Sequence, residues 1–366
     1  MRSDVMDGMM TYSSSMTPDP SAGGTALISP GGSLSRRATG LPTMAGVAAS
    51  AGVSLKTVSR VINGEPGVRP ETVARVRSAA KALGYRRNDA ASDLARASAP
   101  AGIGLIIEDI TDPFSARLTR GVEDVARANG HFVMLSSSHE SSELERTTTL
   151  ALAGRGVAGM IVVPHSDDHH YLAAEIEAGL SIVFVDRPPL RLAADCVLSD
   201  NVEGARQAVA HLLDHGHRRI AFIGNDSGVY TSAARLRGFR AAHSHTGLDV
   251  DDDLVLLGPS AEAESAAAVG VLLALAEPPT ALFTQNNLLT MGAWRAIRAS
   301  GIPIELVGFD DFALADMLDP PVTVVAQDPI ELGRRAAELL FDRLRGEKGP
   351  ARRVVIPTRL IVRRAR

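Results

Sequence analysis

The sequence predicts two parts: a small all-α helix-turn-helix domain and a larger α/β domain folded as two lobes. Three observations lead there. Residues 43–85 read as three short helices, each with its own start and stop signals. From Gly102 onward, short β-branched runs alternate with amphipathic helices. That alternation argues for parallel sheets with helices on both faces. The alternating region is about 265 residues long, which suits two lobes better than one.

Taken in order, residues 1–40 are rich in Ser, Thr, Gly, Pro and Met and lack apolar periodicity, so a disordered tail is expected. Thr43 caps a first helix, Met44–Ala51, because its hydroxyl can accept a bond from an unpaired first-turn amide. Gly52 ends it. Ser54 caps Leu55–Ile62, and Asn63-Gly64 stops that helix. Pro70 is a favoured first-turn residue and opens a third helix running to Leu83. Ala48, Val53, Val58, Val61, Val73, Val76, Ala80 and Leu83 supply the small core. The larger domain has expected strands at Ile103–Ile107, Phe132–Ser136, Gly159–Val163, Ile182–Val185, Ile220–Ile223, Ala281–Phe283 and Leu306–Phe309. Its expected helices include Phe114–Asn129, Asn201–His215, Ala233–His243, Ser265–Leu275 and Leu288–Ser300. Ligands of such sheets sit beyond the carboxyl ends of the strands, here in the crevice between lobes.

Composition narrows the function. The chain has 366 residues, 45% apolar and 22% charged, as in ordinary globular proteins. A single cysteine, Cys196, excludes an internal disulfide framework and any cysteine-cluster zinc site. The longest apolar run, Ala266 to Ala276, is too short to span a bilayer. No secretory signal is visible, so a cytoplasmic protein without a membrane partner is expected. The net charge of −4 conceals an asymmetry. Residues 41–98 carry nine Lys/Arg against four Asp/Glu, whereas residues 99–366 sum to −9. A basic module on an acidic body suggests an anionic partner for the module.

The segment from Val47 to Arg60 has the mechanics of a helix-turn-helix: a helix, a tight turn at Gly52, and a second capped helix. The second helix would enter the major groove of double-stranded DNA and present its early residues to base edges. Leu55, Lys56 and Arg60 are the base-reading candidates. Arg60 can pair bidentately with guanine, Lys56 can make a single contact, and Leu55 can touch a thymine methyl. Ser54, Thr57, Ser59, Asn63 and Tyr85 are the candidates for phosphate contacts, which position the module without reading sequence.

At these residues the chain resembles the LacI/GalR family of bacterial transcription factors. The matching strings are Ala51-Gly52-Val53-Ser54, Thr57-Val58-Ser59-Arg60-Val61-Ile62-Asn63-Gly64 and Leu83-Gly84-Tyr85. The match continues through Asp109-Ile110-Thr111-Asp112-Pro113-Phe114, Gly216-His217-Arg218-Arg219-Ile220, Gly308-Phe309-Asp310-Asp311 and Gly333. The resemblance implies a helix-turn-helix domain at 41–86 and a hinge helix at 87–98. Leu94 is the residue it would insert into the minor groove, where unstacking is offset by added contacts. It implies a type I periplasmic-binding-protein-like domain at 99–366, which binds an effector and dimerises. One lobe would comprise about 101–198 and 326–346, the other about 199–325 and 350–366, with crossings near 198–200, 325–328 and 346–352. Positions lining the family's cleft map onto Asp112, Phe114, Arg187, Arg235, Asn286 and Asp310. The function implied is that of a homodimeric transcriptional regulator, a repressor, reading a near-palindromic operator under control of a sugar, sugar acid or sugar phosphate. No catalysis, cofactor or metal is expected.

The chain departs from the family pattern in places. Gly46 replaces the usual acidic capping partner of the first helix, and Arg69 the usual capping Ser before Pro70. Asp89 and Asp93 make the hinge unusually acidic. Asn287 stands where relatives carry Asp; with Arg187 and Arg235 it tilts the expectation toward an acidic effector. Gly154 to Gly159 fits a dinucleotide-binding string but follows a helix and precedes a strand, the wrong order. His165, Asp167, Asp168, His169 and His170 are expected on a solvated cleft rim. His211 and His215 stand at i and i+4, but His211 and His217 are ordinary for the family.

Overall fold

A computed structural model describes residues 43–62, 65–85 and 102–363. The tail 1–40, Asn63 and the hinge with Leu94 lie outside the described residues. The chain divides into two units, residues 1–97 and 98–366.

The first unit holds α1 (Met44–Ala51), α2 (Leu55–Ile62) and α3 (Pro70–Ala82). Thr43 Oγ accepts the Gly46 amide at 3.1 Å. Gly52 closes α1 at φ 62°, a left-handed conformation that glycine adopts without a Cβ penalty. Ser54 Oγ accepts the Thr57 amide at 3.2 Å and so caps α2. Arg69 makes no side-chain cap bond at the start of α3. The core is Val47, Ala48, Ala51, Val58, Val61, Val76, Ala79 and Ala80. One expected core residue is corrected: Leu83 is the cap beyond the last turn of α3 and stands exposed, while Val47 is fully buried.

The second unit contains two six-stranded sheets. The first lobe is built from β1 (Ile103–Ile107), α4 (Pro113–Ala128), β2 (Val133–Ser137), α5 (Ser142–Ala153), β3 (Gly159–Val162), α6 (Ala173–Glu177), β4 (Ser181–Val185) and β5 (Asp195–Ser199). The chain then passes to the second lobe: α7 (Asn201–Asp214), β6 (Ile220–Gly224), α8 (Tyr230–His245), β7 (Val255–Leu257), α9 (Glu262–Leu273), β8 (Ala281–Thr284), α10 (Asn287–Ser300), β9 (Glu305–Phe309) and β10 (Thr323–Ala326). It returns through α11 (Pro329–Leu344) and β11 (Arg353–Ile356) and leaves again as β12 (Arg359–Ile361). The strand orders are β11-β5-β4-β3-β1-β2 and β12-β10-β9-β8-β6-β7. Every pairing is parallel except β10 with β12. β12 leaves the cleft side directly after β11, so at the edge of its sheet it runs against β10.

That return corrects the expected lobe boundary. Residues 353–356 belong to the first lobe, paired in register with Cys196–Ser199. The third crossing is therefore at Pro357-Thr358, not 346–352. The reason is an ion-pair anchor. Asp195, 3% exposed, accepts from Arg343 Nε and Nη2 at 2.9 and 2.7 Å and from the Arg352 amide at 2.7 Å. Arg352 Nη2 adds a bond at 3.0 Å. These bonds hold the end of α11 and the entry to β11 against β5.

Close helix crossing fixes the layers. α4 and α11 touch through Gly121 and Gly333, where a Cβ would run into the carbonyl oxygens of Ile330 and Leu118 respectively. Interleaved apolar side chains, Leu118 and Val122 with Leu332 and Ala336, complete that contact over β1, β3 and β4. On the rim expected to be solvated, Asp167 and His170 are exposed and His165 and Asp168 half-buried, and the correction falls on His169 alone. His169 is fully buried, accepts the Leu190 amide on Nδ1 at 3.0 Å, and has Nε2 3.4 Å from the buried Glu145. Glu145 in turn accepts from the His165 and Ser166 amides and the Tyr171 hydroxyl.

Candidate functional site

In the first unit the capped start of α2 faces solvent. Leu55 is 52% exposed and Lys56 is exposed beside it. A large aliphatic side chain left out of a core this small is available for contact with a partner. Arg60 lies one and a half turns on, folded back: Nη2 donates to the Pro66 carbonyl at 2.6 Å, and Glu65 is 3.6 Å away. Ser54 and Thr57 hydroxyls bond one another at 2.9 Å, so these two phosphate candidates also hold the helix start together. Ser59 is half-buried on the same helix, and Tyr85 packs its ring against the core.

In the second unit, the carboxyl ends of both sheets open onto one cavity of about 400 Å³. All six cleft candidates line it: Asp112, Phe114, Arg187, Arg235, Asn286 and Asp310. Two of them are helix caps. Asp112 accepts from the Phe114 and Ser115 amides at the start of α4. Asn286 accepts from the Leu289 amide at the start of α10. Phe114 presents a half-buried ring. Asp310 follows β9 with φ 70°, and Asp186 follows β4 with the same φ. Their amides donate to Val325 and Val197 carbonyls, each at 2.9 Å. A left-handed conformation is uncommon for a side-chain-bearing residue and gathers at functional sites. Both lobes thus use one device to turn a carboxylate into the cleft.

The arginines are already engaged. Arg187 is ion-paired to Glu108, with Asp186 at 3.6 Å. Arg235 is buried; its Nε donates to Asn201 Oδ1 at 2.8 Å and Nη1 to the Gln285 carbonyl at 2.6 Å. Asp310 lies 3.5 Å from it, and the guanidinium sits 3.8 Å over the Phe309 ring. Six carboxylates line the cavity (Glu108, Asp109, Asp112, Glu140, Asp186 and Asp310) against these two guanidiniums. Burial pushes the Glu108 carboxyl up to about 7, against the pull of Arg187, with Asp186 and Glu140 adding to the rise. Burial likewise raises Asp112 and Asp186. Gln285 Oε1 and Gln327 Oε1 are buried acceptors with no hydrogen-bond partner among the described residues. The two guanidiniums that pointed to an acidic effector are therefore not free cations. Both positive charges are neutralised locally, and the cavity offers surplus acceptors.

Sequence reasoning missed Glu108, Asp186, Asn225, Gln285 and Gln327. Asn225 Oδ1 accepts from both Gln285 and Asn286, knitting one wall. Each missed residue stands just past a strand end, and that position was the available signal.

Two family models match. "Bacterial regulatory proteins, lacI family" covers residues 43–88, and "Periplasmic binding protein-like domain" covers 209–365. The regulator CelR of Thermobifida fusca is 36% identical over 335 residues, spanning 88% of this chain and 97% of that one. The chain belongs to the LacI family. It is a DNA-binding transcriptional regulator, in keeping with its relatives rather than with an enzyme. Among solved structures, a CelR–cellobiose complex aligns with a TM-score of 0.65 at 33% identity, over 88% of this chain and 99% of that one. A lac repressor dimer bound to operator shares the fold with a TM-score of 0.78 at 24% identity, over 89% and 99%. No helix among the described residues is long and apolar enough to cross a membrane.

Proposed function

We propose that this LacI-family regulator is a homodimeric repressor whose cleft takes a neutral polyhydroxylated effector, a sugar, in preference to a sugar acid or sugar phosphate. The observation that carries this reading is the charge balance of the cavity: six carboxylates face two guanidiniums that are already paired. Hydroxyl groups donate to the surplus carboxylates. A carboxylate or phosphate would meet repulsion in a confined, weakly screened space. Phe114 supplies the apolar face that a sugar ring stacks on. The relative crystallised with cellobiose fits this chemistry.

On the DNA side, Leu55, Lys56 and Arg60 read bases while Ser54, Thr57, Ser59, Asn63 and Tyr85 hold phosphates. Two such modules read the half-sites of a near-palindrome, with Leu94 of each hinge as the minor-groove wedge. Effector binding changes closure of the two lobes and so couples the cleft to the DNA module.

The test is thermal unfolding of the full chain with neutral sugars, sugar acids and sugar phosphates. A ligand at a hundred times its dissociation constant adds about 2.7 kcal/mol. Stabilisation by a neutral sugar is expected; stabilisation by acidic derivatives alone would overturn the reading. For the DNA face, Arg60→Ala should cost about 1–3 kcal/mol on the cognate operator and relax one base position. Equal loss on all DNA would make Arg60 a phosphate contact instead.

A further inference from the structure

A second polar cluster lies in the lobe of α7–β10, at the opposite end of its sheet from the cleft. His211 sits in the last turn of α7, and His215 caps its end. Glu305 is the first residue of β9. The sequence places the two histidines on one helix face but says nothing of Glu305, ninety residues further on. The fold brings it between them. Glu305 Oε1 is 2.7 Å from His215 Nδ1 and 3.9 Å from His211 Nε2. The two imidazole centroids are 4.2 Å apart. One ligand atom from each of the three residues lies within 4.8 Å of the other two. The other carboxylate oxygen, Oε2, is 2.8 Å from His217 Nε2, and His217 Nδ1 is 2.9 Å from the Thr280 hydroxyl.

We propose that His211, His215 and Glu305 form a binding site for a divalent transition-metal ion of the zinc class. His217 is a positioning residue that orients the carboxylate. Two imidazoles and one carboxylate are a donor set that zinc favours, with water completing the shell. Bonds of about 2.0–2.1 Å in a tetrahedral shell put neighbouring ligand atoms about 3.3 Å apart. The observed separations of 2.7 and 3.9 Å bracket that value, so small side-chain rotations bring the three onto one ion. His215 is 42% exposed and opens the site to solvent, while His211 is only 13% exposed and anchors it. Metal ligands ordinarily have an outer partner that fixes their orientation. The Thr280–His217–Glu305 chain has that form.

The placement gives the ion a structural consequence. α7 starts at Asn201, whose side chain accepts from Arg235 in the cleft, and ends at the cluster. β9 starts at the cluster and ends beside Asp310 in the cleft. A metal would join the far ends of two elements whose near ends form the effector site. This is a site for a second ligand, independent of the sugar reading above.

The experiment uses the full chain without a polyhistidine tag, stripped of metal with a chelator. Titration with zinc against a chromophoric chelator is expected to give one equivalent per chain at about 1 µM or tighter. Titration with cobalt(II) should give the visible absorption of a nitrogen- and oxygen-ligated ion. His215→Gln and Glu305→Gln should each weaken zinc by at least about tenfold and abolish the cobalt band. His217→Gln should keep the band while weakening affinity by about 10–100-fold, as loss of an orienting partner does. His131→Gln, in the other lobe, should change nothing. Because His215 is half-exposed, its variant is expected to keep its circular dichroism and unfolding temperature. That check separates loss of the site from loss of the fold. Absence of saturable zinc binding, or binding that His215→Gln and Glu305→Gln both leave intact, would overturn the proposal and leave the cluster as a hydrogen-bonded network only.

Discussion

Replacing Asp195 with Ala tests how the chain assigns its last strands to the lobes. Asp195 is almost wholly buried and accepts bonds from two guanidiniums and a backbone amide. Removing one partner of a buried ion pair costs about 3–5 kcal/mol, because the other charge is left desolvated. Here Arg343 and Arg352 are 17% and 28% exposed. Water partly reaches them, and the lower end, about 3 kcal/mol, applies. For a domain of this size, each kcal/mol shifts Tm by about 2–4 °C, so a fall of about 6–12 °C is expected by circular dichroism. The isosteric Asp195→Asn keeps one acceptor but turns an amide donor toward a guanidinium, and should cost about 2 kcal/mol. The pH dependence adds a second check. Burial pushes the Asp195 carboxyl up, but hydrogen bonds from Arg343 and Arg352 outweigh it and hold the pKa below its usual value. A depressed carboxylate adds stability above its unfolded pKa and loses it as pH falls through the folded one. The gap between wild type and Asp195→Ala should therefore be full at neutral pH and close in acid. A Tm change under about 2 °C, or a gap as wide in acid as at neutrality, would refute the anchor argument.

Three other outcomes rest on the packing and charge of the same fold. Gly333→Ala forces a Cβ into the Leu118 carbonyl across the α4–α11 contact and should cost about 1–3 kcal/mol, read by urea unfolding; a neutral result would mean the helices separate freely. Glu108→Gln removes a group whose folded pKa of about 7 lies above its ordinary value, so wild-type stability should decline as pH rises toward and through about 7 while the variant's profile stays flatter; parallel profiles would refute this. Gly46→Asp adds an acidic first-turn residue where a Cβ meets only Thr43 Oγ at 3.6 Å, and should stabilise the helix-turn-helix unit by about 1 kcal/mol; an unchanged or lower melting temperature would reject the capping argument.

The legible parts of the fold were those written locally. α1 and α2 follow from Thr43, Gly52 and Ser54, because caps and left-handed glycines act within one turn. β1 was equally plain, since a five-residue apolar run between polar stretches has one reading in an α/β chain. β5 is named nowhere in the sequence reading, and α5 enters it only as an unbounded helix before Gly154. α5 has three consecutive threonines and a weak apolar face, and its stability comes from packing. β5 contains Asp195 and Ser199, which look like loop residues until partners arrive. The cleft was half legible: its six candidates converge on one cavity, yet the acceptors that set its charge lie on other strand ends.

What the sequence by itself determined is therefore whatever depends on neighbours along the chain: the caps, the helix-turn-helix, the alternation of strand and helix, and the motifs that mark the family. Tertiary structure alone decided which charges meet. Arg187 reads as a free cation in sequence and is spent on Glu108 in the fold. Arg353–Ile356 looks like a tail of the second lobe and is a strand of the first. Glu305 gains His211, His215 and His217 across about ninety residues. Electrostatic pairing depends on distance in space, and no local pattern encodes a distance closed by the packing of two sheets.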